Sequence, residues 1–441
     1  MTRWLYSCFM WLAQSFMRRK LRRRGRQEPG YLEAVEERFG RYLLPPLPAD
    51  GNTLWVHAVS LGETRAAAVL IVRLRERLPG MRLLLTHATA SGRAAGAELL
   101  QPGDIQTWQP WDTPGAVARF LRHFNPCLGL LMETELWPNL VAGCQHRQVP
   151  LVLANARMSE KSRRQAQRLA WLSRPALRAL SAVWAQTEDD ALRLRQLGAQ
   201  VQGVFGNLKF DATLNVVQLA AGRAWNARTA RPVLMFASSR EGEEAALLEI
   251  LASSVAADET TASAVQWLIV PRHPQRFEAV AALSASYGFA VSRRSSWFDG
   301  PPLAGCDPAD PARPLLWLGD SLGDMALYYG LADVALLGGS FAPLGGQNLI
   351  EAAACACPVV MGPHTFNFAE VAALAEASGA ALRVADMAEG VTLASALVVD
   401  PARRVSRAQA ASDFAGAHRG AVDHTVTAML ALLDQKTVDT L

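Results

Sequence analysis

Asp333–Glu351 reads DVALLGGSFAPLGGQNLIE, and its reading decides the fold. Val334–Leu337 is continuously apolar, the signature of a parallel strand buried on both faces. Gly338, Gly339, Gly345 and Gly346 then allow a tight turn and a close approach of backbone to ligand. A helix is expected over Gln347–Cys355, its N-terminus offering N–H groups and a positive dipole end to a phosphate. Asn348 and Glu351 stand three apart and share one helical face. Asn suits a base or sugar hydroxyl, and Glu suits a ribose diol. The competing reading is a glycine turn that only reverses the chain.

Working outward, 441 residues favour two domains over one core. Half the residues are apolar and 19% are charged, so sizeable cores are available and long solvated tails are not expected. The six cysteines are scattered without a CxxC pair, which suits a reducing compartment and argues against a zinc site. The net charge of +4 is uneven: residues 1–26 carry eight Lys or Arg and no acid, which leaves −4 on the remainder. Basicity gathered at one end suits an anionic lipid surface rather than a nucleic-acid groove.

Trp4–Met17 is an apolar run followed by RRKLRRRGR. As one helix it would span roughly 21 Å, short of the ~30 Å hydrocarbon core. With Trp4, Tyr6 and Trp11 suited to the headgroup boundary, a helix dipped into one leaflet is expected, with the rest of the chain on the cytoplasmic face. A single span and a signal peptide are the alternatives. The cations just beyond the apolar run oppose export.

From Thr53 apolar strands alternate with amphipathic helices: 53–59, 82–88, 127–132, 150–155 and 182–186 read as strands. Repeated βα units imply a doubly wound parallel sheet, whose ligands bind beyond the carboxyl ends of the strands. Three of those ends are unusually polar. They are SLGE with Ser60, Gly62 and Glu63, METELWPN with Glu133 and Glu135, and NARMSEKS with Asn155, Arg157, Ser159 and Lys161. Glu63 has the chemistry of a general base, although a Glu in a first turn also simply stabilises its helix. Lys209, flanked by apolar residues in GNLKFD, suits a specific contact.

The second half repeats the plan, 232–250 mirroring 53–71. PRHP puts Arg272 and His273 past a strand end, and Arg pairs readily with phosphate oxygens. GDSLGDM offers Gly323, Asp324 and Met325 in the same position of its unit. Asp-x-Asp, the metal–diphosphate signature of many sugar transferases, is absent, and no metal or cofactor is expected. The expected domains are a membrane anchor and basic segment (1–30), an acceptor-side Rossmann-like domain (31–211), a linker (212–230) and a nucleotide-binding Rossmann-like domain (231–441). The last helix of the chain is free to return to the first domain.

HAVSLGE, METELWPN, NARMSEKS, AQTEDDA, GNLKFD, VPRHPQRF, LADVALLGGSFAPLGGQN and MGPHTFNFAE, in this order, resemble the 3-deoxy-D-manno-octulosonic acid (Kdo) transferases of lipopolysaccharide synthesis. The resemblance implies a GT-B fold, two Rossmann-like domains facing a cleft. It implies inverting, metal-independent transfer of Kdo from CMP-Kdo to a lipid A precursor (lipid IVA) at the inner membrane. It makes Glu63 the catalytic base and Arg272, Gly323, Asp324, Met325, Ser340, Asn348 and Glu351 donor-binding, with His273 and Gly346 beside them. Ser60, Gly62, Glu133, Glu135, Asn155, Arg157 and Lys209 are further candidates. Gln347, Leu349 and Ala352 depart from the GGHNPLEPA of many members. A GT-B enzyme for another nucleotide sugar, an epimerase, or an inactive membrane-associated binding protein are the alternatives.

Overall fold

The computed structural model describes residues 2–48, 51–211, 214–256, 265–302, 306–307 and 310–438. It divides into two compact units, 1–212 with 419–441, and 213–418.

The first unit holds a parallel sheet of seven strands: β1 (Thr53–His57), β2 (Arg82–His87), β3 (Ile105–Trp108), β4 (Leu128–Met132), β5 (Leu151–Ala156), β6 (Ala182–Ala185) and β7 (Val201–Val204). Their order is β3-β2-β1-β4-β5-β6-β7. Alternate residues feed two cores. Trp55, Leu84 and Leu131 pack with Phe120 and Phe124 on one face, while Leu54, Val56 and Leu83 pack with Leu70 and Leu74 on the other. Because the order reverses direction between β1 and β4, the loops leaving those two strands flank the switch point where such sheets bind ligands. Glu63 leaves β1, and Glu133 and Glu135 leave β4.

The second unit repeats the scheme with β8 (Val233–Ser239), β9 (Gln266–Pro271), β10 (Ala290–Arg293), β11 (Cys306–Asp307), β12 (Asp310–Leu318), β13 (Val334–Leu337), β14 (Val359–Met361) and β15 (Ala381–Arg383). The order is β10-β12-β9-β8-β13-β14-β15, with β11 pairing antiparallel to β12. Here the switch lies between β8 and β13, so the glycine loop after β13 occupies it.

Several expectations change. Residues 212–230 are not a bare linker: helix Val216–Asn226 packs in the second unit against helix Met325–Leu331. Glycines make that crossing close. A Cβ at Gly222 would lie 2.1 Å from the Leu327 carbonyl oxygen, and one at Gly330 would lie 2.6 Å from that of Leu219. After β5 come two helices in succession, Glu160–Arg168 and Ala170–Arg178, broken at Leu169. The apolar N-terminal run is likewise Thr2–Leu12 and then Gln14–Gly25, interrupted at Ala13. No helix among the described residues is long and apolar enough to cross a membrane. The inward side of the first helix is tied to the first unit. Tyr6 donates to Asp112 (2.9 Å), Ser7 donates to Asn139 (2.9 Å), and Met10 is buried. Arg18 pairs with Glu36 and stacks 3.7 Å over Phe39, so it is not free for headgroups.

Helix Ala421–Val438 belongs to the first unit, where Val422, Val426 and Met429 join the core beside helix Leu61–Arg77. Asp211 accepts hydrogen bonds from the Gly420 and Val422 N–H groups at 2.7 and 2.6 Å, capping that helix with a negative charge. Asp211→Ala should cost roughly 1.5–3 kcal/mol in urea unfolding and selectively raise amide exchange over 421–430. Unchanged protection there would show that core packing alone holds the helix.

Candidate active site

Glu63 sits in the first turn of helix Leu61–Arg77, whose N-cap is Ser60. Its Oε2 accepts the Val59 N–H at 2.9 Å, its Oε1 accepts the Ser60 hydroxyl at 3.1 Å, and Ser60 Oγ in turn accepts the Glu63 N–H at 3.4 Å. This is a capping-box arrangement displaced by one residue, since the carboxylate reaches Val59 rather than Ser60 itself. S-x-x-E spells it in the sequence. The carboxyl is pushed up to about 7, by burial above all. The Val59 N–H opposes that rise, the charges of Glu133 and Glu135 add to it, and the Ser60 hydroxyl opposes it.

The turn beneath is fixed by groups that sequence reading did not single out. Gln106 Nε2 lies 3.1 Å from His87 Nε2 and donates to the Arg93 carbonyl at 2.7 Å. An amide nitrogen has only protons to offer, so His87 Nε2 accepts and Nδ1 carries the ring proton. That proton is donated to the Ala58 carbonyl, 2.8 Å away. Burial holds His87 down to about 4, so the ring is neutral near pH 7. Thr64 donates to the Ser60 carbonyl at 2.9 Å. Gly92 brings helix Ala90–Ala97 against this turn, where a Cβ would meet the Val59 carbonyl oxygen at 2.9 Å. Gly62 differs: its φ is not left-handed, and a Cβ would meet only Ser60 Oγ, at 3.9 Å. Packing does not require glycine at 62, and its absent side chain keeps the surface beside Glu63 open.

The neighbouring strand ends carry the other candidates. Glu133 has a left-handed backbone (φ 59°) and pairs with Lys209 at 3.2 Å, which gives that lysine its specific contact. Glu135 accepts from Trp137 Nε1 at 2.6 Å, and burial raises its carboxyl. Asn155 is also left-handed (φ 52°), is only 3% exposed, and receives the Leu208 N–H at 3.1 Å. Its Nδ2 is buried without a hydrogen-bond partner. Arg157, half-buried, follows on the same loop, and its N–H bonds the Glu133 carbonyl at 3.2 Å.

In the second unit, the loop after β13 is built around Glu243, 2% exposed. Its carboxylate accepts N–H bonds from Arg240 (3.0 Å), Gly339 (2.7 Å), Phe341 (3.0 Å) and Ala342 (3.2 Å). Gly339, Gly345 and Gly346 are left-handed at φ 70°, 91° and 75°, and Gly346 N–H closes on the Gly339 carbonyl at 2.7 Å. Gln347 Oε1 accepts from Arg272 Nε at 3.2 Å, so these two share one edge of the loop. His273 is lowered by burial first and then by Arg240 and Arg272.

One donor-site expectation needs correction, and two candidate residues are engaged within the unit. The helix begins at Ile350, not Gln347, and runs only to Ala354. Asn348 is the reason, because its Oδ1 turns back to the Ile350 N–H at 3.2 Å, while Gly345 and Gly346 hold the preceding turn left-handed. Asn348 and Glu351 therefore do not share a helical face. Ser340 is fully buried: it donates to the Leu337 carbonyl and accepts the Gly362 N–H at 2.8 Å, joining the ends of β13 and β14. Asp324 is taken up by Gln218 Nε2 (3.0 Å) and Ser321 Oγ (2.7 Å), with Arg294 at 3.7 Å. Gly323 is left-handed (φ 81°), Met325 opens helix Met325–Leu331, and both leave the loop accessible.

Two doubly wound parallel sheets with polar carboxyl edges define a GT-B-like α/β protein. A putative UDP-N-acetylglucosamine 2-epimerase from Listeria monocytogenes is similar over 87% of this chain and 97% of its own, with TM-score 0.55 and 12% identity. A glycosyltransferase from Rickettsia africae ESF-5 is similar over 87% and 97%, with TM-score 0.51 and 11% identity. At such identities these likenesses show the fold alone. Residues 33–212 match a family profile described as 3-Deoxy-D-manno-octulosonic-acid transferase (kdotransferase). The 3-deoxy-D-manno-octulosonic acid transferase of Bordetella pertussis is 46% identical over 425 residues, 95% of each chain. The chain belongs to the 3-deoxy-D-manno-octulosonic acid transferase family.

Two measurements check this geometry. The folded-state pKa of Glu63 lies above its unfolded value. The stability it contributes is therefore full below about pH 4.5 and lost as pH rises through about 7. Glu63→Gln should match the parent near pH 4.5 and exceed it at pH 8.5, by at most about 3 kcal/mol. Equal pH dependence of the two unfolding curves would refute the shift. Glu243→Gln would set amide protons against backbone N–H groups. It should cost roughly 2–4 kcal/mol and expose the 339–342 amides to exchange.

Proposed function

We propose that this protein transfers Kdo from CMP-Kdo to a lipid A precursor. The first unit carries the base and the second holds the donor nucleotide. Glu63 as carboxylate takes the proton from an acceptor hydroxyl, and that oxygen attacks the anomeric carbon of Kdo. CMP departs from the opposite face in a single inverting displacement. Arg272 steadies the charge on the leaving phosphate. The backbone turns at Gly323 and Gly346, with Met325, Asn348 and Glu351, line the nucleotide. Ser340 and Asp324 serve by holding those turns rather than by touching the donor.

The observation that carries this reading is the placement of Glu63, half-buried in the first turn of the helix after β1 with one N–H and one hydroxyl on its carboxyl. A carboxyl near 7 is available as a base at neutral pH, and it retains a strong pull on a proton. An ordinary surface Glu would be ionised but a poor acceptor. Arg157, half-buried, supplies a donor on the same sheet edge for the acceptor's oxygens, and Asn155 holds that edge by taking the Leu208 N–H. We further propose that the two N-terminal helices lie on the cytoplasmic leaflet, as a one-leaflet amphipathic foot. Trp4, Leu5, Phe9, Trp11, Leu12 and Phe16 are all exposed on their outward side, followed by the basic run.

Glu63→Ala should lower transfer from CMP-Kdo to a tetraacylated lipid A precursor by roughly 10²–10⁴-fold. CMP should still raise the melting temperature of the variant as it does the parent's. In the parent, kcat/KM should climb as pH passes through about 7 and then level off. Near-normal turnover in Glu63→Ala would remove Glu63 from the base role. Failure of CMP to stabilise the parent would point to another nucleotide sugar.

A further inference from the structure

We propose that the helical pair Glu160–Arg168 and Ala170–Arg178 is a second lipid-contacting element. It lies beside the N-terminal helix and engages the headgroup layer of an anionic bilayer. The proposal extends the membrane reading above, and rests on it for the idea that the acceptor arrives from a bilayer.

Helix Glu160–Arg168 buries no residue at all. A helix on the surface of a globular protein ordinarily buries an apolar stripe, whereas this one touches the core only through half-buried Ala166. The pair carries Lys161, Arg163, Arg164, Arg168, Arg174 and Arg178 against one acid, Glu160. Glu160 is spent on Arg163 (2.7 Å) and Arg164 (2.9 Å). Among the described residues, Lys161, Arg168 and Arg174 form no ion pair. Leu169, 51% exposed, joins the two helices, and Trp171, 44% exposed, sits in the first turn of the second. Cations flanking an exposed aromatic and aliphatic pair form the profile of a headgroup boundary, where the charges meet phosphates and the rings enter the acyl edge. A solvated basic face needs no exposed Trp and Leu, and a nucleic-acid site has no use for the Leu.

The neighbouring helix decides the occupant. Helix Thr2–Leu12 packs against helix Ala170–Arg178, and Arg3, Val141, Trp171, Leu172 and Pro175 line a small cavity of about 110 Å³. The exposed apolar row of the N-terminal helix and the Leu169–Trp171 corner thus belong to adjacent elements of one unit. The pair also follows directly from the loop carrying Arg157 and Ser159, at the carboxyl end of β5 where Asn155 sits. Contact with a bilayer here brings the lipid surface to the acceptor side of the site.

The test uses the full chain in flotation with vesicles of phosphatidylglycerol and phosphatidylethanolamine, and with phosphatidylcholine alone. Three variants are compared with the parent: Arg168→Glu/Arg174→Glu with Trp171→Ser, Trp4→Ser/Phe9→Ser, and the combination. The hairpin variant should lose about tenfold in partitioning to anionic vesicles and much less to phosphatidylcholine. Its melting temperature and its stabilisation by CMP should match the parent's. Loss in the hairpin variant with normal binding of Trp4→Ser/Phe9→Ser would uphold this proposal and sink the N-terminal foot. Parent-like partitioning of the hairpin variant overturns the proposal whatever the N-terminal variant does. Capture of a single-stranded RNA more tightly than vesicles, lost in the hairpin variant, would also overturn it.

Discussion

Backbone N–H groups left open where a parallel strand turns into its helix must be satisfied, and in this protein carboxylates satisfy many of them. Asp112 takes the Asn139 and Leu140 N–H groups, Asp211 takes those of Gly420 and Val422, and Glu243 takes one from its own turn after β8 and three from the loop after β13. Glu63 is the exception in kind. It takes one N–H and one hydroxyl, lies near two other acids, and keeps capacity on both oxygens. The mirrored segments 53–71 and 232–250 thus put acids at equivalent turns for opposite ends. Glu243 is saturated and holds a loop, while Glu63 is under-supplied and holds a proton near neutrality. The same device gives a scaffold in one unit and a candidate base in the other.

What could be read from the sequence follows burial. Strands with both faces covered, such as β1, β4, β8 and β13, have continuous apolar centres and were legible. Apart from the two-residue β11, the unrecognised strands β3, β7, β10 and β15 are the four terminal strands of the two sheets. Each is partly exposed along its length, so its apolar signal is diluted to the level of a loop. Glu63, Glu133, Glu135, Asn155 and Lys209 were recognisable as polar residues at apolar strand ends. His87 and Gln106 were not, because a buried histidine that donates to a carbonyl looks in sequence like any strand residue. The glycine loop was legible as a loop but not in its ending. Asn348 competes with the helix for the Ile350 N–H, and one side-chain bond moves the helix start by three residues.

The N-terminal helix is mounted, not tethered. Asp112 is almost fully buried, and burial pushes its carboxyl up to about 6. Tyr6 donates one of the bonds that repay that burial, and Trp111 donates to the Met10 carbonyl at 2.8 Å. Stripping the helix away would leave Asp112 and Asn139 short of partners inside the unit, which is why surface substitutions report on lipid contact more cleanly than truncation does. The mount has a direction. Asp112 follows the carboxyl end of β3, and Asn139 opens the helix after β4, so the helix grips the same edge of the sheet from which Glu63 emerges. In a parallel sheet that edge is shared by every strand, and the loop after β5 that leads into the basic helical pair leaves from it too. The proposed lipid surface and the proposed base therefore belong to one compact unit, oriented by strand direction and by a buried carboxylate. A membrane-resident acceptor bound to that surface would approach the edge of the sheet from which Glu63 emerges.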